Sequence, residues 1–596
     1  MNIKKEWDLS PLLKSDGDPE IGKKLEKAKE ANQKFTDKWK TRSDYLKDPK
    51  ILKQVLDDLE AVEKDYGLSG DPGYYFTLRF YQDQANPEVK AKLNKIEELE
   101  KQIKNNRKFF TLNISKIPEK EQKKFISSPE LKEYKHFLET QFAAGKHLLS
   151  EKEEKILSLK ETTSHDFWER MTQGLLTKQE KEISLKNKKQ TKNFSELIEL
   201  MKSTDKKTRD VAAKAFTEIL DQYAEVAEQE INAILSNKKT NDELRKFPRA
   251  DSARHLTDDI PTEAVDTLIK TITARFDIAK RYYKLKADLL GVKKMQYHER
   301  SVPYTIKEVN YSFEDSVELV KKTFEKLDNE FSEILLRFLE KGQIDVFPKK
   351  GKQNGAFCIH LLPTQPIYIL LNHTDNLNNV TTLAHEVGHG INAELMNKTQ
   401  KALNVGTPKS TAEVASTFME DFVLEELIRK ADPEKKLSIL MEKLDSDIST
   451  IFRQTSFYNF ELELHSEFRE KGYLSKERVG ELFKKHLSSY LGDSVDTSKA
   501  DNWWIYVPHF RYIFYVYSYV SGQLISKALQ RKVRADHSFI EKVKEFLSAG
   551  LSDSPKDIFA KLGIDITKKE FWESGLKEVE DLLNETEALA KKLDKI

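Results

Sequence analysis

Cysteine, glycine and proline are all scarce in this sequence, at one, 21 and 17 residues in 596. The lone cysteine, Cys358, excludes an internal disulfide framework and fits a reducing compartment. With few glycines and prolines to interrupt them, Lys, Glu, Leu and Ala recur at helical spacing through most of the chain, so a mainly α-helical fold is expected. Net charge is nearly absent as well. Lys and Arg total 100 against 99 Asp and Glu, which gives no electrostatic reason to expect nucleic acid or an anionic membrane as partner. No apolar run approaches the roughly 18 residues of a membrane span, and the opening Met1 to Ser10 has no signal-peptide core, so a cytoplasmic protein is expected. A chain this long exceeds one compact core, so two or more lobes are expected.

The stretch from Thr381 to Gly390 contains the pattern H-E-x-x-H, as His385, Glu386 and His389. Two histidines four apart on a helix lie about 40° apart around its axis, so both imidazoles can reach one metal ion, the geometry of a zinc site. Glu386 points to roughly the same side and can act as general base toward a water that attacks a carbonyl. The pattern has the helix it needs, because Val380, Ala384, Val387, Ile391 and Leu395 recur at helical spacing. The histidines fall opposite that apolar stripe, which argues against their being buried core residues.

A catalytic zinc needs a third protein ligand. Glu413 offers one, in T-A-E-V-A-S-T-F-M-E from Thr411 to Glu420, where a new helix carries Val414, Ala415, Phe418 and Phe422 on one side. Glu413 and Glu420 share another face about 20° wide. A second reading of Glu413 stays open at this point: Ser410-x-x-Glu413 fits a capping box, in which the carboxylate serves only backbone N–H groups.

L-A-H-E-V-G-H-G followed by A-E-V-A-S-T-F-M-E resembles the thimet oligopeptidase and oligoendopeptidase F family of zinc peptidases, in detail its oligoendopeptidase F branch. The resemblance implies one zinc per chain, held by His385, His389 and Glu413, with Glu420 orienting a histidine ligand. Met419 departs from the asparagine frequent in that branch and touches neither ligand position.

Trp7 to Leu13 reads as a turn-and-anchor segment that also resembles the family, and amphipathic helices run from Ile21 to Leu138. Val89, Leu93, Ile96 and Ile103 approach heptad spacing, but Glu100 interrupts it, so packing within a lobe is expected over a coiled coil. The lysine-rich stretch Thr177 to Asn193 reads as a connector folded as an exposed hairpin, dividing an N-terminal helical lobe, 1–193, from a catalytic lobe, 194–596. Ile344 to Phe347, Ala356 to Leu362 and Pro366 to Asn372 are β-prone, so a small sheet beside the motif helix is expected, with an edge able to hold an extended peptide. Cys358 lies in it with no cysteine-protease spacing around it, and reads as a small buried hydrophobe.

The second informative stretch is W-W-I-Y-V-P-H-F-R-Y-I-F-Y-V-Y-S-Y, Trp503 to Tyr519. Placed on a helix, His509, Tyr512 and Tyr519 fall within about 80° of one another, with Tyr515 a little further round. Such a face of donors can hold an oxyanion, or it can be an aromatic packing stripe. The resemblance selects the first, since family members carry a histidine and tyrosines here that bind substrate and stabilise the transition state. It implies two mainly helical lobes around a deep cleft and endopeptidase cleavage of short unfolded peptides. A zinc carboxypeptidase, with Arg511 as the group for a terminal carboxylate, and a catalytically inactive peptide-binding scaffold are the alternatives.

Overall fold

The computed structural model describes residues 3–304 and 310–596. The chain is mainly α-helical with only small sheets, as its composition predicts. Contacts divide it into two compact units that interleave along the sequence: 1–146 with 308–427 and 532–564, and 147–307 with 428–531 and 565–596. The boundary expected at residue 193 coincides with neither division, because 193 lies inside the second unit. Each unit draws on three separate stretches, and no change of composition marks where the chain passes from one to the other.

In the first unit the N-terminal helices enclose an aromatic and aliphatic core that includes Phe35, Trp39, Tyr45, Leu56 and Phe110. In the Trp7 to Leu13 anchor Trp7, Leu9, Leu12 and Leu13 are buried, and Trp7 Nε1 donates to Ile369 O at 2.8 Å, which ties the start of the chain to the sheet. The near-heptad residues lie on the helix Pro87–Ser115 and are buried against neighbouring helices of the same unit. The sheet has three strands in the order Ile344–Asp345, Tyr368–Leu370, Phe357–Ile359, parallel at the first pairing and antiparallel at the second. Phe357–Ile359 is one of the two edge strands and packs on the motif helix, Leu377–Thr399. That helix opens with a capping box from Asn376 to Asn379. Its stripe of Val380, Ala384, Val387, Ile391 and Leu395 is at most 4% exposed, so the opposite face is left for the histidines.

In the second unit, Glu180–Leu185 and Lys188–Asn193 form the expected hairpin, turned by Lys186 and Asn187 at φ +49° and +62°, the left-handed pair of a tight hairpin. The helix Lys569–Lys592 buries Trp572, Leu576, Val579 and Leu583 against Thr262–Thr273, Phe276–Leu289 and Pro433–Asp447. Among the described residues no helix is long and apolar enough to cross a membrane.

Candidate metal centre and active site

Two helices build the centre, and a glycine lets them meet. An added Cβ at Gly388 would stand 2.8 Å from Ser416 Cα and 2.9 Å from Ala415 O, so only a residue without a side chain permits this approach. The second helix, Val414–Lys430, thereby starts beside the histidines. Glu413 comes immediately before that helix rather than at its third position, the place a capping box requires. Its carboxylate turns to the imidazoles instead: Oε2 lies 3.4 Å from His385 Nε2 and 3.5 Å from His389 Nε2. The other ring nitrogen of His385, Nδ1, lies 3.0 Å from Glu420 Oε2, and one carboxylate thus orients the ring that faces the other.

His385, His389 and Glu413 each offer one ligand atom, all within 4.8 Å of one another. Donors held tetrahedrally by zinc at about 2.1 Å stand roughly 3.4 Å apart. The two histidine-to-glutamate separations match that spacing, and two imidazoles with one carboxylate leave a fourth position open, so the residues fit a catalytic zinc.

The electrostatics agree with a site that exchanges protons for a cation. Burial pulls the His385 imidazole down, but the Glu413 and Glu420 carboxylates outweigh it and raise its pKa to about 10. Burial alone would raise Glu413, yet hydrogen bonds from His385 and His389 hold it well below the ordinary carboxylate range. Glu386 is 7% exposed, and burial raises its pKa above the ordinary value against the opposing pull of both histidines. The nearby backbone N–H of Cys358 also opposes that rise, and less strongly than the histidines. Burial pushes the Cys358 thiol well up, which leaves no thiolate for nucleophilic chemistry. His360, at the end of the same strand, was not singled out from the sequence; burial and then nearby His389 lower its pKa.

The aromatic stretch belongs to the second unit and departs from its expected form. It is not one helix: Pro508–Arg511 is a 3-10 turn, Ile513 and Phe514 take φ +45° and +55°, and a regular helix begins only at Tyr517. The helical-face argument for Tyr512 therefore does not hold. Tyr512 is 52% exposed, and the nearby Glu169 carboxylate raises its phenol pKa. The ring centroid of His509 lies 5.6 Å from that of Tyr519 and 6.2 Å from that of Tyr515, and the two tyrosines are 5.1 Å apart. Burial, then Arg453, lowers the His509 pKa, which keeps the ring neutral. Its Nδ1 is buried with no hydrogen-bond partner among the described residues. Arg511 is buried in a two-pronged pair with Glu230, at 3.0 and 2.7 Å, and also donates to the carbonyls of Trp504 and Val507. It has no free edge for a peptide carboxylate.

A second group of candidate ligands, Asp210, His298 and Glu299, is already neutralised by protein cations, since Lys206 and Arg209 reach Glu299 at 3.2 and 2.7 Å.

A histidine pair and a carboxylate that could hold one metal ion, with a buried carboxylate beside them, are the groups a metallohydrolase site needs. The chain belongs to peptidase family M3, whose model matches residues 199–578, and to its oligoendopeptidase F branch; the model described as Oligopeptidase F matches residues 113–177. It is 29% identical over 528 residues to Oligopeptidase PepF of Bacillus subtilis, covering 87% of this chain and 78% of that one. It is 26% identical over 552 residues to Group B oligopeptidase PepB of Streptococcus agalactiae, covering 90% and 91%. The fold matches the crystal structure of oligoendopeptidase-F from Enterococcus faecium with a TM-score of 0.70 at 21% identity, over 96% and 99% of the two chains. The chain is an oligopeptide-cleaving metallo-endopeptidase.

Proposed function

We propose that this enzyme is a zinc-dependent endopeptidase that hydrolyses internal bonds of short oligopeptides, with one zinc per chain on His385, His389 and Glu413. The observation that carries this reading is the convergence of those three ligand atoms with the buried carboxylate of Glu386 next to them. Zinc bound there supplies Lewis acidity, polarising a carbonyl oxygen and making water more acidic. Glu386 takes the proton from the attacking water and passes it to the departing amine; its raised pKa suits both transfers. Burial restricts the movement of that carboxylate. Glu420 holds His385 in the tautomer that presents Nε2. On the family resemblance, His509 and Tyr519 steady the oxyanion of the tetrahedral intermediate, and Tyr512 is a further match to the tyrosines that bind substrate and stabilise the transition state. The neutral His509 ring beside Tyr519, with its Nδ1 without a hydrogen-bond partner among the described residues, suits the first role. The edge of Phe357–Ile359 is a candidate rail for peptide backbone. Short unfolded peptides in the cytoplasm are the proposed substrates. The engagement of Arg511 with Glu230 counts against the carboxypeptidase alternative.

The test is mass spectrometry of peptides about 5 to 20 residues long incubated with the protein, with a chelator and Glu386→Gln as controls. Internal cuts that stop in both controls are expected, with Glu386→Gln about 100- to 10,000-fold slower at unchanged zinc content. Loss of C-terminal residues alone would move the assignment to a carboxypeptidase, and zinc binding without cleavage would move it to a scaffold.

A further inference from the structure

Ile513 and Phe514 stand in the left-handed region at φ +45° and +55°. A β-branched or bulky residue avoids that region, where glycine sits freely. A turn built from glycine would hinge; one built from isoleucine and phenylalanine persists only if its surroundings hold it. The holder is the helix Gln454–Lys471. Glu461, fully buried on it, accepts the Phe514 N–H at 2.7 Å through Oε1. One turn to either side, Tyr458 and His465 clasp the Phe514 ring at centroid distances of 5.4 and 4.9 Å. The residues that follow are pinned too: Arg254 lies 5.0 Å over the Tyr515 ring, and the Tyr517 hydroxyl donates to Asp258 at 2.7 Å.

Glu461 has no other visible task. Its second oxygen is buried without a hydrogen-bond partner among the described residues, an arrangement that costs stability and that an aliphatic side chain would avoid. Burial pushes its pKa up to about 8 against the Phe514 N–H and Arg254, so at neutral pH a neutral carboxyl occupies the site. The amide of glutamine copies that group closely.

We propose that Glu461 is a positioning residue for the peptidase reaction: its hydrogen bond to the Phe514 amide holds the Ile513–Phe514 turn that brings the His509 and Tyr519 rings together. The inference rests on the reading of His509 and Tyr519 as groups that serve the substrate. Two variants of the full-length, zinc-loaded enzyme separate it from a merely structural role. Glu461→Gln keeps an acceptor at Oε1, and Glu461→Leu removes it. The readouts are amide exchange across residues 509–519, zinc content, and kcat and KM on a peptide that the parent enzyme cuts. In Glu461→Leu, the Phe514 amide is expected to lose protection and kcat to fall roughly 100-fold, with KM and zinc content little changed. Glu461→Gln is expected to keep both protection and kcat. Retained protection or kcat in the leucine variant, or an equal loss in both variants, would overturn the proposal. If Glu461→Leu does not fold, Glu461→Asp, which withdraws the carboxyl by one methylene, is expected to move in the same direction. Should the parent enzyme cut no peptide, the functional reading fails, while amide exchange still decides whether Glu461 holds the turn.

Discussion

The motif helix Leu377–Thr399 and the stretch Trp503 to Tyr519 each gather histidine with acidic or phenolic groups, but by opposite means. On the motif helix the backbone is regular, and its period alone sets His385 beside His389. What attracts the next element is charge: imidazoles on one side, Glu413 and Glu420 on the other. In the aromatic stretch the backbone is irregular, His509 is neutral, and two residues stand in an unfavourable left-handed conformation. A site that must hold a cation can rest on a regular scaffold with opposite charges. A cluster of neutral donors with no such attraction needs an imposed backbone.

This contrast can be broken or sharpened by measurement. Tyr519→Phe should lower kcat about 100- to 1000-fold if its hydroxyl stabilises the oxyanion; Tyr512→Phe, which removes an exposed hydroxyl near Glu169, should raise KM and leave kcat within about threefold. Equal losses in kcat would return Tyr512 to the cluster. Gly388→Ala tests the close helix contact: the methyl must displace the Ser416 backbone, at a cost of about 1–3 kcal/mol in stability, with weaker zinc binding as Glu413 moves away. Thermal unfolding and metal titration would measure both. Glu420→Gln should weaken zinc binding by about 10- to 100-fold while leaving the ligand set intact, read by competition with a chelator.

The pH dependence of zinc affinity gives the smallest step. His385 in the metal-free site keeps its proton up to about pH 10, because the two carboxylates overcome the effect of burial. Zinc must displace that proton, so affinity falls as pH falls, by about tenfold per unit through the neutral range. Glu413 is held below its ordinary range and adds no further competition there. An affinity flat between about pH 6 and about pH 9 would show that the site does not compete with protons in this way.

Much of the centre was legible in the residues themselves. The spacing of His385 and His389 and the stripe from Val380 to Leu395 follow from local periodicity, which a helix preserves, and the N-terminal anchor was read from its resemblance to the family. The hairpin within Thr177 to Asn193 was legible from its polar, lysine-rich composition, but its turn at Lys186 and Asn187 was not singled out. His360, the Cys358 N–H near Glu386 and Glu461 were not, since each acts through a partner distant in the chain. Gly388 stood in the motif in plain view, yet its purpose shows only once Ala415 and Ser416 lie against it.

By itself the sequence determined the mainly helical character, the motif and the likeness to a peptidase family, because composition, period and spacing are properties of neighbouring residues. The interleaving of the two units, the grouping of Tyr515 with His509 and the carboxyl that holds Phe514 were decided only by the tertiary structure. Such features depend on which distant surfaces bury one another and on strain that packing overrides, and neither leaves a period in the chain.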